Sequence, residues 1–167
     1  MSVIAARVYD NRIEIAADSI ILKDDLKKTN FVKLRQYSNI VCGGCGSAEE
    51  LSLFFEFMNT IQVTNNVTTQ TILDYIHDFS VYKQYYTGCT DVENCYLIIM
   101  DNKLFEVDGF FVQKITDYTA IGEGEPYALT ALYLGQNPID AVKTTCELCC
   151  HVSLPVVYKV INKYWGD

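Results

Sequence analysis

Residues 1–18 read MSVIAARVYDNRIEIAAD, and this stretch decides how the rest of the chain is interpreted. Two short apolar runs flank an Asp-Asn pair, which favours a tight turn, so the sequence predicts a hairpin of strands over residues 3–9 and 12–18. Pairing of these strands returns Asp18 to the start of the chain, close to Ser2. Once the initiator methionine is removed, the leading serine offers a free amine beside a hydroxyl. One local segment then supplies a nucleophile, a base and an orienting carboxylate.

The composition predicts a single globular domain over residues 1–167. Half of the residues are apolar and 20% are charged, and a chain of 167 residues can bury a sizeable core. No apolar run reaches the roughly 18 residues of a membrane span, and the first residues lack the basic start of a secretion signal. The net charge is −8, without a large basic cluster. We therefore expect neither a membrane nor a nucleic acid as partner.

The seven cysteines allow two interpretations. Their odd number, without a secretion signal, favours reduced thiols and a cytoplasmic protein. Cys42 and Cys45, like Cys146 and Cys149, have the spacing of metal ligands, which makes a zinc site with four cysteine ligands the sharper interpretation. The plainer one is small buried side chains. We favour small buried side chains, because structural zinc sites lie on short knuckles of the chain rather than inside long helices or strands. We therefore expect no metal and no cofactor.

The order of the predicted elements indicates the fold class. Apolar residues recur at strand spacing in the first part of the chain, at helical spacing after Gly46, and then alternate between the two patterns. Helices are predicted to begin after Ser47, at Thr69, at Pro126 and after Asn137, and Glu50 completes a capping box with Ser47. A polar loop is predicted over residues 23–30. The other predicted strands cover residues 31–34, 39–43, 95–100, 104–107, 110–113, 118–121 and 156–161. Groups of strands that alternate with pairs of helices predict an α+β fold, a four-layer αββα sandwich of two antiparallel sheets flanked by helix pairs.

Four segments carry a resemblance to a known family. The hairpin that ends at Asp18 comes first, followed by residues 30–34 (NFVKL), residues 41–49 (VCGGCGSAE) and residues 120–128 (AIGEGEPYA). In this order, and at nearly these separations, they resemble the proteasome β-type peptidases, and especially the bacterial HslV-type subunit. These are N-terminal-nucleophile (Ntn) hydrolases. The resemblance covers nearly the whole chain and implies their αββα fold.

The resemblance also implies a mechanism of the threonine-peptidase type, in which Ser2 takes the place of the usual threonine. Ser2 would attack the peptide carbonyl while its own α-amine accepts the proton. The ammonium group of Lys33, held by Asp18, would lower the pKa of that amine below its reference value of about 7.7–8.0. The N–H of Gly46, at a helix start, would stabilise the oxyanion. Without the resemblance, Asp18 and Lys33 would be a structural ion pair and Gly46 simply a tight turn.

Substrate and assembly follow from the same resemblance. Two small residues, Gly44 and Ala48, would line the specificity pocket. The substrate would be a polypeptide. The chain would form a homo-oligomer, a hexameric or heptameric ring or a double ring, with an AAA+ ATPase unfoldase as a possible partner.

Some residues depart from the family pattern. Met1 precedes Ser2, and we expect a methionine aminopeptidase to remove it because serine is small. Glu123 stands where the family has a serine, and a carboxylate there would raise the pKa of the α-amine. His151 and Ser153 fall near the family's late supporting pair, and His151 fits a polar support or a cation at a helix C-terminus equally well.

Two alternative functions remain open. Glu123 favours a catalytically inactive, structural relative of the proteasome subunits. An Ntn amidase that acts on a small substrate is the other alternative, and a monomer with open access to Ser2 would favour it.

Overall fold

The computed structural model describes residues 2–23, 26–28, 31–62 and 65–163. Within these ranges the chain forms eleven strands and four helices. The strands are β1 (Ile4–Val8), β2 (Arg12–Asp18), β3 (Ile21–Lys23), β4 (Leu26–Lys28), β5 (Leu34–Tyr37), β6 (Ile40–Cys45), β7 (Cys95–Met100), β8 (Lys103–Asp108), β9 (Phe111–Ile115), β10 (Tyr118–Ile121) and β11 (Val156–Asn162). The helices are α1 (Ala48–Thr60), α2 (Thr69–Thr87), α3 (Glu125–Tyr133) and α4 (Pro138–Leu148).

Two antiparallel sheets form the middle of the fold. One has the strand order β10-β1-β2-β11 and the other β5-β6-β7-β8-β9, while β3 and β4 form a separate two-stranded ribbon. The predicted hairpin is present, and it pairs Ile4 with Ala17. That register leaves Asp18 opposite Val3, whose carbonyl accepts a hydrogen bond from the Asp18 N–H at 3.2 Å.

Three apolar layers hold these elements together. The layer between the two sheets includes Ile4, Ile15 and Leu97. A second layer, rich in aromatic side chains, packs α1 and α2 against the five-stranded sheet. The third packs α3 and α4 against the four-stranded sheet and is built mainly of alanine and valine. The predicted four-layer αββα sandwich is therefore confirmed.

The local predictions failed at the segment that connects β2 to β5. The sequence predicts a strand over residues 31–34, whereas β5 begins only at Leu34. Phe31 instead donates its N–H to the Ser19 carbonyl at 2.9 Å, and the Lys33 carbonyl accepts from Gly44 N at 3.3 Å, so this segment crosses from one sheet to the other. The predicted loop over 23–30 contains β4, and its residues 24, 25, 29 and 30 lie outside the described ranges.

Helix starts follow the sequence closely. The side chains of Ser47 and Asn137 accept hydrogen bonds from the N–H groups three residues ahead, as expected for N-caps. The Ser47 cap is not a reciprocal capping box, because the Glu50 carboxylate points into the protein interior. None of the helices in the described ranges combines the length and the apolar character needed to cross a lipid bilayer.

Candidate active site

Asp18 and Lys33 form a buried ion pair at the end of β2. Lys33 Nζ lies 2.8 Å from both carboxylate oxygens of Asp18, and the two side chains are 3% and 0% exposed. The N–H groups of Val3 and Ile20 donate to the same carboxylate at 2.9 and 3.2 Å. Four hydrogen bonds thus fix the carboxylate, and the carboxylate in turn fixes the ammonium group of Lys33.

Ser2 lies two residues before β1 and is almost completely buried. Its carbonyl accepts a hydrogen bond from Gly124 N at 3.1 Å. Gly122 adopts a φ of +96°, and a Cβ atom built there would lie 2.5 Å from the Ser2 carbonyl oxygen and 2.9 Å from Cys45 Sγ. The turn before α3 therefore supports the Ser2 backbone so closely that only glycine fits at position 122.

A substitution at this glycine is expected to be costly. Gly122→Ala should lower the free energy of unfolding by about 2–5 kcal/mol, because it adds left-handed backbone strain to a steric overlap with Ser2. Gly88→Ala is the matched control: Gly88 also has a positive φ, +74°, but a Cβ there meets no atom within 4 Å. It should cost only about 1–2 kcal/mol. Equal losses of unfolding free energy, measured in urea, would show that a side chain at position 122 does not clash with Ser2.

The Cys45 thiol lies beside Ser2 and is not a rival nucleophile. Burial raises its pKa to about 12, although the ammonium group of Lys33 and a hydrogen bond from the Ser2 side chain act in the opposite direction. The thiol is therefore neutral at neutral pH, and a neutral thiol attacks carbonyl groups poorly.

The cysteine pairs do not form a zinc site. Cys42 packs in the helix-side layer and Cys45 between the sheets, since residues three apart on a strand face opposite sides. Cys146, on α4, and Cys149, at the end of α4, pack in the layer between these helices and the four-stranded sheet. The interpretation as small, mostly buried side chains accounts for both pairs. In the described ranges, no group of three or more His, Cys, Asp or Glu residues is placed to hold a metal ion.

Gly46 and Ser47 form the turn from β6 into α1. Gly46 has a φ of +133°, and a Cβ atom there would overlap the side-chain oxygen of Asn94. Asn94 Oδ1 accepts from Ser47 N at 2.6 Å, and Asn94 Nδ2 donates to the Ser47 carbonyl at 2.9 Å. None of the hydrogen bonds within the described ranges uses the Gly46 N–H as donor. This donor, at the start of a helix, remains available to a developing negative charge.

These groups meet in one cavity of about 240 Å³. Its lining includes Ser2, Lys33 and Gly46, together with Ser47. Apolar or small residues line the rest: Ile20, Ile21, Phe31, Gly44, Ala48 and Leu51. The structure thus brings together all four residues that the sequence predicts for catalysis, with Asp18 reached through Lys33, and both residues that it predicts for the pocket.

Two of the residues that depart from the expected pattern, Glu123 and His151, contact each other and are partly exposed. His151 Nε2 is 3.4 Å from Glu123 Oε1, and each side chain is a little over 40% exposed. His151 follows α4 in the chain, and Ser153 lies in the partly buried loop between α4 and β11. The imidazole therefore sits against the Glu123 carboxylate.

No protein-family model matches this chain, and no curated protein sequence matches it. Solved structures do match. BPH from Thiobacillus denitrificans has a TM-score of 0.84 at 21% identity, with 97% of this chain and 98% of that chain covered. Eukaryotic HslV from Trypanosoma brucei has a TM-score of 0.71 at 16% identity, covering 96% of this chain and 99% of that one. The fold is that of the proteasome-like Ntn hydrolases. The resemblance seen in the four sequence segments is therefore confirmed for the fold.

Two further structures extend the comparison. The Anbu (Gly-1) mutant from Hyphomicrobium sp. strain MC1 has a TM-score of 0.72 at 13% identity, with 97% of this chain and 82% of that chain covered. BPH was also solved in complex with epoxomicin, and this complex has a TM-score of 0.82 at 21% identity, covering 97% of this chain and 99% of that one. The proteasome-like architecture therefore spans nearly all of this chain.

Proposed function

We propose that this chain is a proteasome-like peptidase whose nucleophile and general base are both on Ser2, after removal of Met1. The observation that carries the proposal is the shared cavity of Ser2, Lys33 and Gly46, with Asp18 bound to Lys33 behind it. A hydroxyl, a fixed ammonium group and a backbone donor are the components that acyl transfer needs.

The proposed reaction begins at the freed α-amine of Ser2. The positive charge of Lys33 disfavours a second cation nearby, which keeps this amine unprotonated at neutral pH. The amine accepts the hydroxyl proton as Oγ attacks the peptide carbonyl, and the Gly46 N–H stabilises the oxyanion. The proton then passes to the leaving amine, and an acyl ester remains on Ser2. Attack by water on this ester restores the hydroxyl and completes the hydrolysis.

The substrate that fits the cavity is a polypeptide with an apolar residue before the scissile bond. Ile20, Phe31 and Leu51 provide apolar walls, and Gly44 also lines the cavity. A Cβ at Gly44 would lie 2.6 Å from the Tyr96 ring, so the strand also packs too tightly there for any larger residue. Lys33 repels a cationic side chain in the same space.

The second candidate is an inactive structural relative, which Glu123 favours. The contact between His151 and Glu123 weakens this alternative, because the imidazole gives the Glu123 carboxylate a partner of its own. A carboxylate already engaged with an imidazole raises the pKa of a neighbouring amine less than an unpaired one does.

We further propose a cytoplasmic homo-oligomeric ring, of six or seven subunits or doubled, that receives unfolded polypeptide from an AAA+ ATPase. Large apolar side chains on and after the outer helices support contacts between subunits: Tyr85, Tyr86, Tyr133, Leu134 and Leu148 are all exposed. Light scattering on the purified protein measures its mass, and a monomer would favour the amidase alternative.

The test of activity uses protein whose first residue is established as Ser2 by N-terminal sequencing. We expect it to cleave a fluorogenic peptide amide with leucine before the scissile bond. The matched peptide with lysine there should react roughly 10- to 100-fold more slowly, because the apolar walls and Lys33 both disfavour it. If folded protein that begins at Ser2 and forms the proposed ring cleaves neither peptide, the proposed function is contradicted.

A further inference from the structure

The Gly46–Ser47 turn depends on a residue distant in sequence. Both polar atoms of the Asn94 side chain bind the Ser47 backbone, one as acceptor and one as donor. Asn94 is 1% exposed, and it immediately precedes β7, the strand that pairs with β6. Its position therefore sets the direction of the peptide groups that lead from β6 into α1.

Asn94 is itself held by Glu50. The Glu50 carboxylate accepts a hydrogen bond from the Asn94 N–H at 3.0 Å, from the Glu93 N–H at 3.2 Å and from the Tyr96 hydroxyl at 2.8 Å. Lys83 Nζ, on α2, donates to the other oxygen at 2.6 Å. The carboxylate thus links α2 to the segment that leads into β7.

This cluster is buried and charged. Glu50 is 3% exposed and Lys83 is 7% exposed. Burial raises the pKa of Glu50, but the hydrogen bonds from Lys83, Asn94, Tyr96 and Glu93 outweigh it and hold the pKa below its ordinary value. A buried ion pair is not in general a strong source of stability, so its presence beside the turn calls for another role.

We propose that Glu50, paired with Lys83, is a positioning residue for the oxyanion-binding turn: it fixes the backbone of Asn94, and the Asn94 side chain fixes Gly46 and Ser47. This inference rests on the proposed peptidase function. Glu50 does not line the cavity, and its carboxylate reaches the turn through the backbone of Asn94.

The alternative is that Glu50 only joins α1 to α2. The two roles differ in what a substitution changes. Loss of oxyanion positioning lowers kcat and leaves KM unchanged, because the contact is made in the transition state and the substrate pocket is intact. A purely structural contact lowers stability and leaves kcat per folded molecule unchanged.

Four variants form the test: Glu50→Gln, Asn94→Ala, the double variant and Glu49→Gln. Glu50→Gln keeps the shape of the side chain but replaces one carboxylate oxygen by an NH₂ group. This group is a donor, and it would face another donor, either Lys83 or the backbone N–H groups. We expect kcat to fall roughly 10- to 100-fold with KM within about twofold, as for a small displacement of a catalytic group. Asn94→Ala should produce a similar fall. Glu49 is exposed on the same helix turn, and Glu49→Gln should leave both constants unchanged.

The double variant gives the sharpest result. If Glu50 acts through Asn94, adding Glu50→Gln to Asn94→Ala causes no further loss of kcat. Multiplied losses, or an unchanged kcat in Glu50→Gln, would overturn the proposal. If Glu50→Gln does not fold, two other variants provide the test. Lys83→Arg keeps the charge pair and should retain most of the kcat. Asn94→Ala leaves the ion pair intact but should still lower kcat. Full activity in Asn94→Ala would overturn the proposal in that case.

An inactive wild-type chain would contradict the proposed function and still leave the positioning role measurable. Hydrogen exchange of the Ser47 amide reports the turn directly, because this N–H donates to Asn94 Oδ1. We expect it to exchange at least about tenfold faster in Glu50→Gln than in the wild type, corresponding to a loss of about 1.4 kcal/mol of protection. Unchanged exchange would overturn the positioning role, whatever the activity of the chain.

Discussion

Ser2→Ala is expected to lower kcat for peptide hydrolysis by roughly 10⁴- to 10⁶-fold, the range seen when a covalent nucleophile is removed. The variant keeps the free α-amine, the cavity and the buried pair, so only the attacking oxygen is lost. The measurement is initial-rate hydrolysis of the leucine peptide amide by protein that begins at residue 2. Electrospray mass of each preparation verifies that the methionine is absent.

Ser2→Thr is the control for this prediction. Threonine keeps both the hydroxyl and the amine, so it should retain measurable turnover, and the three proteins should unfold at similar urea concentrations. A Ser2→Ala protein within tenfold of the wild-type rate would place the nucleophile elsewhere.

Lys33→Met is expected to lower the free energy of unfolding by about 3–5 kcal/mol, because it leaves the Asp18 carboxylate buried without a counter-charge. Lys143→Met removes one partner of an exposed pair with Asp140, whose side chains are 55% and 51% exposed, and should cost at most about 1 kcal/mol. Urea unfolding at pH 7 gives both values. Equal losses of unfolding free energy in the two variants would mean that Lys33 does not stabilise the buried Asp18 carboxylate, contrary to the geometry of the pair.

The double variant Lys33→Met/Asp18→Asn separates structural from catalytic roles. Removing both charges leaves no unpaired carboxylate in the interior, so part of the lost stability should return. Hydrolysis should not return, because the ammonium group that keeps the Ser2 amine unprotonated is still missing. Recovery of both stability and turnover would reduce Asp18 and Lys33 to a structural ion pair.

The fold was predictable because most elements carry their own periodicity. The hairpin that ends at Asp18 and helix starts such as Ser47 and Asn137 follow from local residues. The ribbon of β3 and β4 was missed, because the polar composition of this segment does not indicate that it forms paired strands. The start of β5 was missed for a similar reason: Phe31 is typical of a strand, but its N–H bonds to Ser19 across the sheets.

The site was predictable only in part. Ser2, Asp18 and Gly46 lie in segments whose order matches a known family, so their proximity could be expected. Asn94 carries no local signal, because its partner Ser47 is 47 residues away in the chain. Glu50 was misread as half of a capping box: the spacing fits, but four donors from elsewhere in the chain outcompete the helix terminus for its carboxylate.

The most direct test of the account is reaction of the protein with an α′,β′-epoxyketone peptide such as epoxomicin, followed by mass spectrometry of the N-terminal fragment. The ketone reacts with a hydroxyl and the epoxide with an amine, so a doubly attached adduct requires both groups on one residue. We expect this adduct on Ser2, and none on Ser2→Ala. Folded protein that begins at Ser2, has assembled to its native mass and stays unmodified would contradict it.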